Sequence, residues 1–193
     1  MSADGLVRCG WAEIRPGPDA ELYRDYHDCE WGRPLTDGAA LFERMSLEAF
    51  QSGLSWLIIL RKRENFRRAF SGFDIDKVAR FTDADVQRLL ADDGIVRNRA
   101  KIDATIANAR AAIDLGSPQD LSDLLWSFAP SPRPRFADLS EIPSASAESK
   151  AMARELKRRG FRFVGPTTAY ALMQATGMVD DHISACWVQP IGL

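Results

Sequence analysis

The reading of this chain turns on one stretch, Arg159 to Cys186: R-G-F-R-F-V-G-P-T-T-A-Y-A-L-M-Q-A-T-G-M-V-D-D-H-I-S-A-C. Gly165 followed by Pro166 is a turn feeding a helix, because proline suits the first helical position, and Gly177 stops that helix. Exposed backbone N–H groups at such a start form a natural anion site. Lys157, Arg158, Arg159 and Arg162 just ahead of it favour a phosphate, although the turn taken alone is an ordinary helix start. An acid pair, Asp180-Asp181, follows the helix. His182 and Cys186 then stand four residues apart, which on a helix points both side chains to one side and supplies half of a tetrahedral Cys2His2 set.

The rest of that set must come from a scarce supply, since the chain has 3 cysteines and 2 histidines. Cys9, His27 and Cys29 remain. Residues two apart on a helix lie on nearly opposite sides, so His27 and Cys29 do not both belong to one site. Three cysteines do not make a disulfide framework. A metal held by both chain ends would close a long loop and act structurally. With four protein ligands it would leave no open position for water.

Outward from this stretch, 193 residues suffice for one sizeable core or two small subdomains sharing one. We expect a single domain over 1–193, with two helical subdomains flanking a pocket as the alternative. The 46% hydrophobic and 27% charged residues are ordinary for a globular chain. The longest apolar run, Leu54 to Leu60, is far short of the ~20 residues that span a bilayer. Met1 to Arg8 lacks the apolar centre of a signal peptide, so a cytoplasmic location with no membrane partner is expected. The net charge of −2 argues against a generally basic coat. Two local basic runs exist, Arg61-Lys62-Arg63 with Arg67 and Arg68, and Lys157-Arg158-Arg159 with Arg162; each by itself reads as a solvated helix face.

The pattern between is helical throughout. Residues 1–19, with Pro16-Gly17-Pro18, read as a tail and turn. Asp19 is positioned to cap a helix carrying Leu22, Tyr23, Tyr26 and His27. Asp37-Gly38 opens a second, with Leu41, Phe42, Met45, Ala49 and Phe50 facing the core. Gly53 breaks it, and Ser55 caps a helix from Trp56 to about Phe70. Short helices start at Asp74 and Thr82, the latter burying Val86, Leu89 and Leu90 before Gly94 ends it. A longer one over Arg97–Leu115 buries Ile102, Ile106, Ala109 and Ile113. Helices over Pro118–Phe128 and Ala147–Arg159 flank a weakly ordered, proline-rich loop at 129–145. With no strand ladder or repeat, the chain reads as all-α, with roughly eight to ten short helices.

Val164-Gly165 through Ala169, followed by Val179-Asp180-x-His182, resembles the helix–hairpin–helix DNA glycosylase superfamily, in which the hairpin binds backbone phosphates and an Asp stands at the scissile bond. Asp180 occupies that position, while Thr167 stands where the strand-cleaving members have a Schiff-base lysine. The resemblance therefore implies a monofunctional enzyme, since no amine is present to form an imine. A closer resemblance, to the 3-methyladenine DNA glycosylase I family, covers nearly the whole chain. It is carried by Arg8-Cys9-Gly10-Trp11, Tyr26-His27-Asp28-x-Glu30-Trp31-Gly32, Leu47-Glu48, Gly53-Leu54-Ser55-Trp56 and Lys62-Arg63-Glu64-Asn65. Further blocks are Gly94 to Ile102, Trp126-Ser127-Phe128, Ser140-Glu141-Ile142-Pro143, Lys157 to Gly165 and the closing H-x-x-x-C.

That resemblance implies hydrolysis of the N-glycosidic bond of 3-methyladenine in alkylated double-stranded DNA, releasing the free base and leaving an abasic site, by a monomer. It implies a structural Zn2+ on Cys9, His27, His182 and Cys186, with Cys29 free. It places Glu48 on the damaged base, Trp56 stacked on it, and Tyr23, Tyr26 and Trp11 around the pocket. Gly53-Leu54 would wedge into the gap left by the flipped nucleotide, and Gly165, Thr167 and Arg162 would hold the backbone. A base drawn from the stack needs aromatic faces and a polar group that reads its edge, and a buried carboxylate favours a cationic methylated purine. Asp180 is either a transition-state acid or a helix-end acid holding His182. Two rival readings use the same residues: a zinc-stabilised DNA-binding module without catalysis, and a Cys–His hydrolase, which fails if a metal holds both thiols.

Overall fold

The structure, a computed structural model, describes residues 4–13 and 17–190. The sequence expectation at Pro16 and at residues 1–3 lies outside the described residues. Nine α-helices run among the described residues, with no strand: α1 (Pro18–Cys29), α2 (Gly38–Gln51), α3 (Trp56–Ala69), α4 (Ile75–Ala79), α5 (Asp83–Ala91), α6 (Arg99–Leu115), α7 (Pro118–Trp126), α8 (Ala147–Arg158) and α9 (Pro166–Ala175). Short 3-10 segments lie at Gly10–Glu13, Ser71–Phe73 and Leu139–Glu141. No helix among the described residues is long and apolar enough to cross a membrane.

Helix α2 is the hub. It packs against α3, α6, α7 and α9, and every residue from Met45 to Phe50 is buried. Over that stretch the helix has no solvent face on which to place a polar residue. Asp37 starts it by accepting from the Ala40 N–H at 2.8 Å. Gly38 allows the close approach of α7, because a Cβ there would fall 1.9 Å from the Pro118 carbonyl oxygen. On one flank Phe50, Phe66, Phe70 and Phe73 form a run of ring contacts at 4.7–5.7 Å. At its end the buried Lys101 ammonium donates to the carbonyls of Phe50 (2.9 Å) and Ser52 (2.6 Å), satisfying orphan acceptors and holding the turn that follows.

Several helix expectations need correction. Asp19 is not the cap of α1: Gly17 precedes the helix and Pro18 occupies its first turn, leaving Asp19 to pair with Arg61. Ile113 is 43% exposed rather than buried, because the last turn of α6 turns Ala111 and Ala112 inward instead. Leu90 is only half-buried. The loop at 129–145 is a loop, but a strapped one. Arg133 pairs with Asp181, Arg135 with Asp180 at 2.8 Å, and the Ser184 N–H donates to the Phe136 carbonyl at 2.8 Å.

Most consequential is the segment after α9. His182 and Cys186 lie in an irregular turn, not on a helix. Gly177 ends α9 in the left-handed region (φ 74°), and the Cys186 N–H donates to the Ile183 carbonyl at 2.9 Å, closing the turn that brings the two side chains together. A Cβ on Gly177 would sit 2.7 Å from the backbone of Arg33 and Pro34, so this glycine also lets the end of α9 dock on the segment leaving α1. We expect Gly177→Ala to lose about 2–4 kcal/mol of stability, combining left-handed backbone strain with a backbone clash. Urea denaturation measures it, and a loss below about 0.5 kcal/mol would contradict this account of the turn.

Candidate active site and metal-binding cluster

Five residues singled out from the sequence, Trp11, Tyr23, Tyr26, Glu48 and Trp56, line one cavity of about 380 Å³. They come from the first 3-10 turn, α1, α2 and the start of α3. The remaining lining is Trp31, Gln51, Leu139, Ile142, Ala171 and Gln174. Leu139 and Ile142 belong to the strapped loop, and nothing local in the sequence assigns them to this cavity. The aromatic rings are interlocked: Trp11 meets Tyr23 edge-on at 5.6 Å and Trp31 at 5.1 Å, and Tyr26 and Trp56 lie 5.3 Å apart.

Glu48 is 5% exposed, an outcome of its place on the enclosed helix α2. It makes no hydrogen bond to the protein among the described residues, and burial pushes its carboxyl up to about 7, with Arg44 one turn away holding it back. Arg44, which sequence reading passed over, lies below the aromatic wall. It donates to the Tyr26 hydroxyl at 2.8 Å and to Glu30 at 3.3 Å, and its guanidinium is 5.2 Å from the Tyr26 ring and 5.6 Å from that of Trp56. The Arg44–Glu48 spacing of four was the one available signal for it. The indole N–H of Trp56 is buried with no partner among the described residues. The cavity thus has flat apolar walls and a carboxylate that lacks a donor among the described residues.

The turn from Ser52 to Ser55 joins two lining residues, Gln51 and Trp56. Gly53 takes φ 81° there, and Leu54 is 39% exposed at its tip.

Behind the cavity stands a second constellation. Cys9, His27, His182 and Cys186 are all buried, and their ligand atoms lie within 4.8 Å of one another, a group able to hold a metal ion. His182 Nδ1 is 3.6 Å from Cys9 Sγ and 3.5 Å from Cys186 Sγ; His27 Nε2 is 3.5 Å from Cys186 Sγ. The other nitrogen of each ring is occupied. His27 Nδ1 meets Asp28 at 2.7 Å, and His182 Nε2 meets the Trp31 carbonyl at 3.2 Å. Asp28 is in turn gripped by the Arg8 guanidinium at 2.8–3.0 Å and accepts from the Trp187 indole at 3.1 Å. Cys29, two residues along α1, is exposed. The cluster touches the cavity wall directly, with Trp11 packed on His27 at 5.2 Å and Trp31 on His182 at 4.7 Å.

Gly165 and Arg162 lie elsewhere, at a groove of about 670 Å³ between α8 and the start of α9 that also carries Lys150, Arg154 and Lys157, while Thr167 follows in the first turn of α9 and is not among the groove's lining residues. The groove floor is anchored by the buried Asn108, which accepts from the Arg162 N–H at 2.7 Å and donates to the Arg162 carbonyl at 3.1 Å. Arg158 and Arg159 are spent on Glu155. The other basic run is likewise committed, Arg61 to Asp19, Arg63 to Glu30 and Arg67 to Glu43 and Glu64. Asp180 is not among the residues lining the aromatic cavity. It is half-buried, ion-paired with Arg135, and accepts from the His182 N–H at 3.3 Å.

A cavity with flat apolar walls and a buried carboxylate has the chemistry to take up a flat, electron-poor heterocycle. The family model for methyladenine glycosylase matches residues 17–189. The chain is 47% identical over 191 residues to DNA-3-methyladenine glycosylase 1 of Escherichia coli, covering 96% of this chain and 98% of that protein. It is 42% identical over 184 residues to DNA-3-methyladenine glycosylase of Haemophilus influenzae, covering 93% and 96%. A crystal structure of 3-methyladenine DNA glycosylase I matches with a TM-score of 0.89 at 45% identity, over 95% of this chain and 100% of that one. The Staphylococcus aureus glycosylase, solved to describe its recognition of 3-methyladenine, matches with a TM-score of 0.85 at 33% identity, over 94% and 97%. The chain belongs to the methyladenine glycosylase family.

The Glu48 environment makes a prediction independent of substrate. Below pH 4.5 the side chain is protonated whether the chain is folded or not. As pH rises toward about 7 the unfolded chain ionises first, and above that the folded protein carries a buried charge. Stability is therefore lost as pH rises through the folded value. Glu48→Gln should match the parent near pH 4.5 and exceed it by up to about 3 kcal/mol at pH 8. Urea denaturation at the two pH values checks this, and an equal difference at both would refute it.

Proposed function

We propose that this protein is a base-excision enzyme that takes a flipped 3-methyladenine from alkylated double-stranded DNA into the Glu48 cavity and hydrolyses its N-glycosidic bond. The observation that carries the reading is Glu48 itself, a buried carboxylate with no donor among the described residues, set among aromatic walls. Methylation at N3 leaves adenine cationic in DNA, so the carboxylate attracts the charged ring and accepts from its exocyclic amine. The bond from C1′ to the base breaks with its electron pair leaving on the base, which departs neutral. Water adds its oxygen to C1′ and gives up a proton, leaving an abasic site and free 3-methyladenine. Because the leaving group needs no protonation, the site needs no general acid. Thr167 offers no amine for an imine, so strand cleavage is not part of the reaction.

Trp56, Tyr26, Tyr23 and Trp11 enclose the base. Gly53 and Leu54 fill the stack it vacates. Gly165, Thr167 and Arg162, on a helix–hairpin–helix element formed by α8 and α9, grip backbone phosphates through amide N–H groups and the unpaired cations beside them. Asp180 serves the fold by holding Arg135 and the His182 backbone. The chain acts as one cytoplasmic domain and a monomer. Base release from methylated duplex DNA tests the reading. Free 3-methyladenine should appear with the parent protein, kcat/KM should fall at least ~100-fold in Glu48→Gln, and kcat should stay within about 3-fold in Asp180→Asn. Absence of base release from the parent would sink the proposal. A loss of ~1000-fold in Asp180→Asn would return that acid to the chemistry.

The Cys9, His27, His182 and Cys186 group fits Zn2+. Metal–ligand lengths of about 2.3 Å to sulfur and 2.0–2.1 Å to nitrogen set the sulfur–nitrogen edge of a tetrahedron near 3.5 Å, against separations of 3.5–3.6 Å. Asp28 and the Trp31 carbonyl fix which ring nitrogens point inward. Both thiols would be ligands, which removes the Cys–His hydrolase reading. Protein purified without chelator should contain one zinc per chain by elemental analysis, and stripping it should lower Tm. A metal-free preparation with full stability and activity would refute the assignment.

A further inference from the structure

The acid pair that ends the α9 segment divides its labour in a way the functional reading above does not absorb. Asp181, not Asp180, is the buried member, 1% exposed. Its carboxylate receives three donors: the Tyr170 hydroxyl at 2.8 Å, the Gln174 side-chain amide nitrogen at 2.8 Å and the Arg133 guanidinium. A carboxylate only accepts, so the amide of Gln174 cannot be flipped without losing this bond. Its nitrogen end is committed to Asp181. The oxygen end has no protein donor among the described residues, yet Gln174 lines the same cavity as Glu48.

We propose that Gln174 Oε1 is a second reader of the bound base, accepting an N–H from its exocyclic amine, and that Asp181 is the positioning residue that fixes this orientation. The proposal rests on the glycosylase reading above. The cavity then presents two acceptors, Glu48 and Gln174. A 6-amino group with two N–H donors satisfies both. The 6-carbonyl of a guanine places an acceptor against acceptors and leaves buried polar groups unpaired, which discriminates more strongly than a missing apolar contact would. Arg133 reaches Asp181 from the proline-rich loop and stands 3.9 Å over the Phe136 ring. The same carboxylate therefore ties the loop that supplies Leu139 and Ile142 to the base-reading amide.

The test compares the parent with Gln174→Met, which keeps length and volume but removes the amide. Release of 3-methyladenine and 3-methylguanine from the same methylated DNA is measured, together with fluorescence titration of free 3-methyladenine and the melting temperature. The expected result is roughly 5–10-fold weaker 3-methyladenine binding, the size of one net hydrogen bond. The ratio of adenine to guanine release should fall by a similar factor, while Tm drops modestly because Asp181 loses one of its three donors. Asp181→Asn, whose amide also offers donors, should lower the same ratio in whatever fraction folds. A Gln174→Met ratio within 2-fold of the parent overturns the assignment and leaves the glycosylase reading standing. A parent protein that releases no methylated base overturns both.

Discussion

A carboxylate held in the enclosed second half of a helix is the constraint on which the site depends. Every residue of α2 from Met45 to Phe50 is buried, so Glu48 is desolvated by position, and no donor among the described residues relieves it. A buried charge without a partner is costly, and this fold keeps one at the floor of an aromatic cavity. Under the proposed function that cost becomes affinity when a cationic, amine-bearing ring enters, because the desolvation has already occurred. Arg44 tempers the arrangement without cancelling it, since its own hydrogen bonds go to Tyr26 and Glu30.

The closure of the chain ends serves that cavity. Cys9, His27, His182 and Cys186 join segments that begin and end the fold, and their ring neighbours Trp11 and Trp31 are cavity walls. A metal held here would brace the cavity walls through packing, since none of the four residues lines the cavity itself. The outer links, Arg8 to Asp28 to His27 and Trp31 to His182, run back into the same walls. Rigidity of the aromatic box and integrity of the cluster are therefore one property.

The acids after α9 show how misleading a motif position is without its surroundings. Asp180 occupies the place that the superfamily resemblance marks, yet it faces Arg135 and the backbone of His182. Asp181, which carried no expectation, is buried and linked through Gln174 to the cavity. Both acids hold the proline-rich loop, Asp180 through Arg135 and Asp181 through Arg133, but only Asp181 also grips a residue that lines the cavity.

The helices were legible because amphipathic periodicity, cap residues and glycine stops are local properties of the chain. Rarity of cysteine and histidine narrowed the candidates for a metal cluster, the family resemblance chose Cys9 and His27 from them, and the four side chains do lie together. Trp11, Tyr23, Tyr26, Glu48 and Trp56 were reached through family blocks, and one cavity does collect them. Three things were out of reach. The turn carrying His182 and Cys186 looks helical by spacing, but Gly177 and its docking on Arg33 and Pro34 impose another path. Leu139 and Ile142 line the cavity only because distant ion pairs strap their loop down. Gln174 lines the cavity with its nitrogen committed to Asp181 and its oxygen without a donor among the described residues, a state set by a contact seven residues on. The sequence by itself determined which segments are helices and which residue types are available for chemistry. The tertiary structure decided which of them are desolvated, paired or left waiting, because burial and hydrogen-bond partnership arise between segments far apart in the chain.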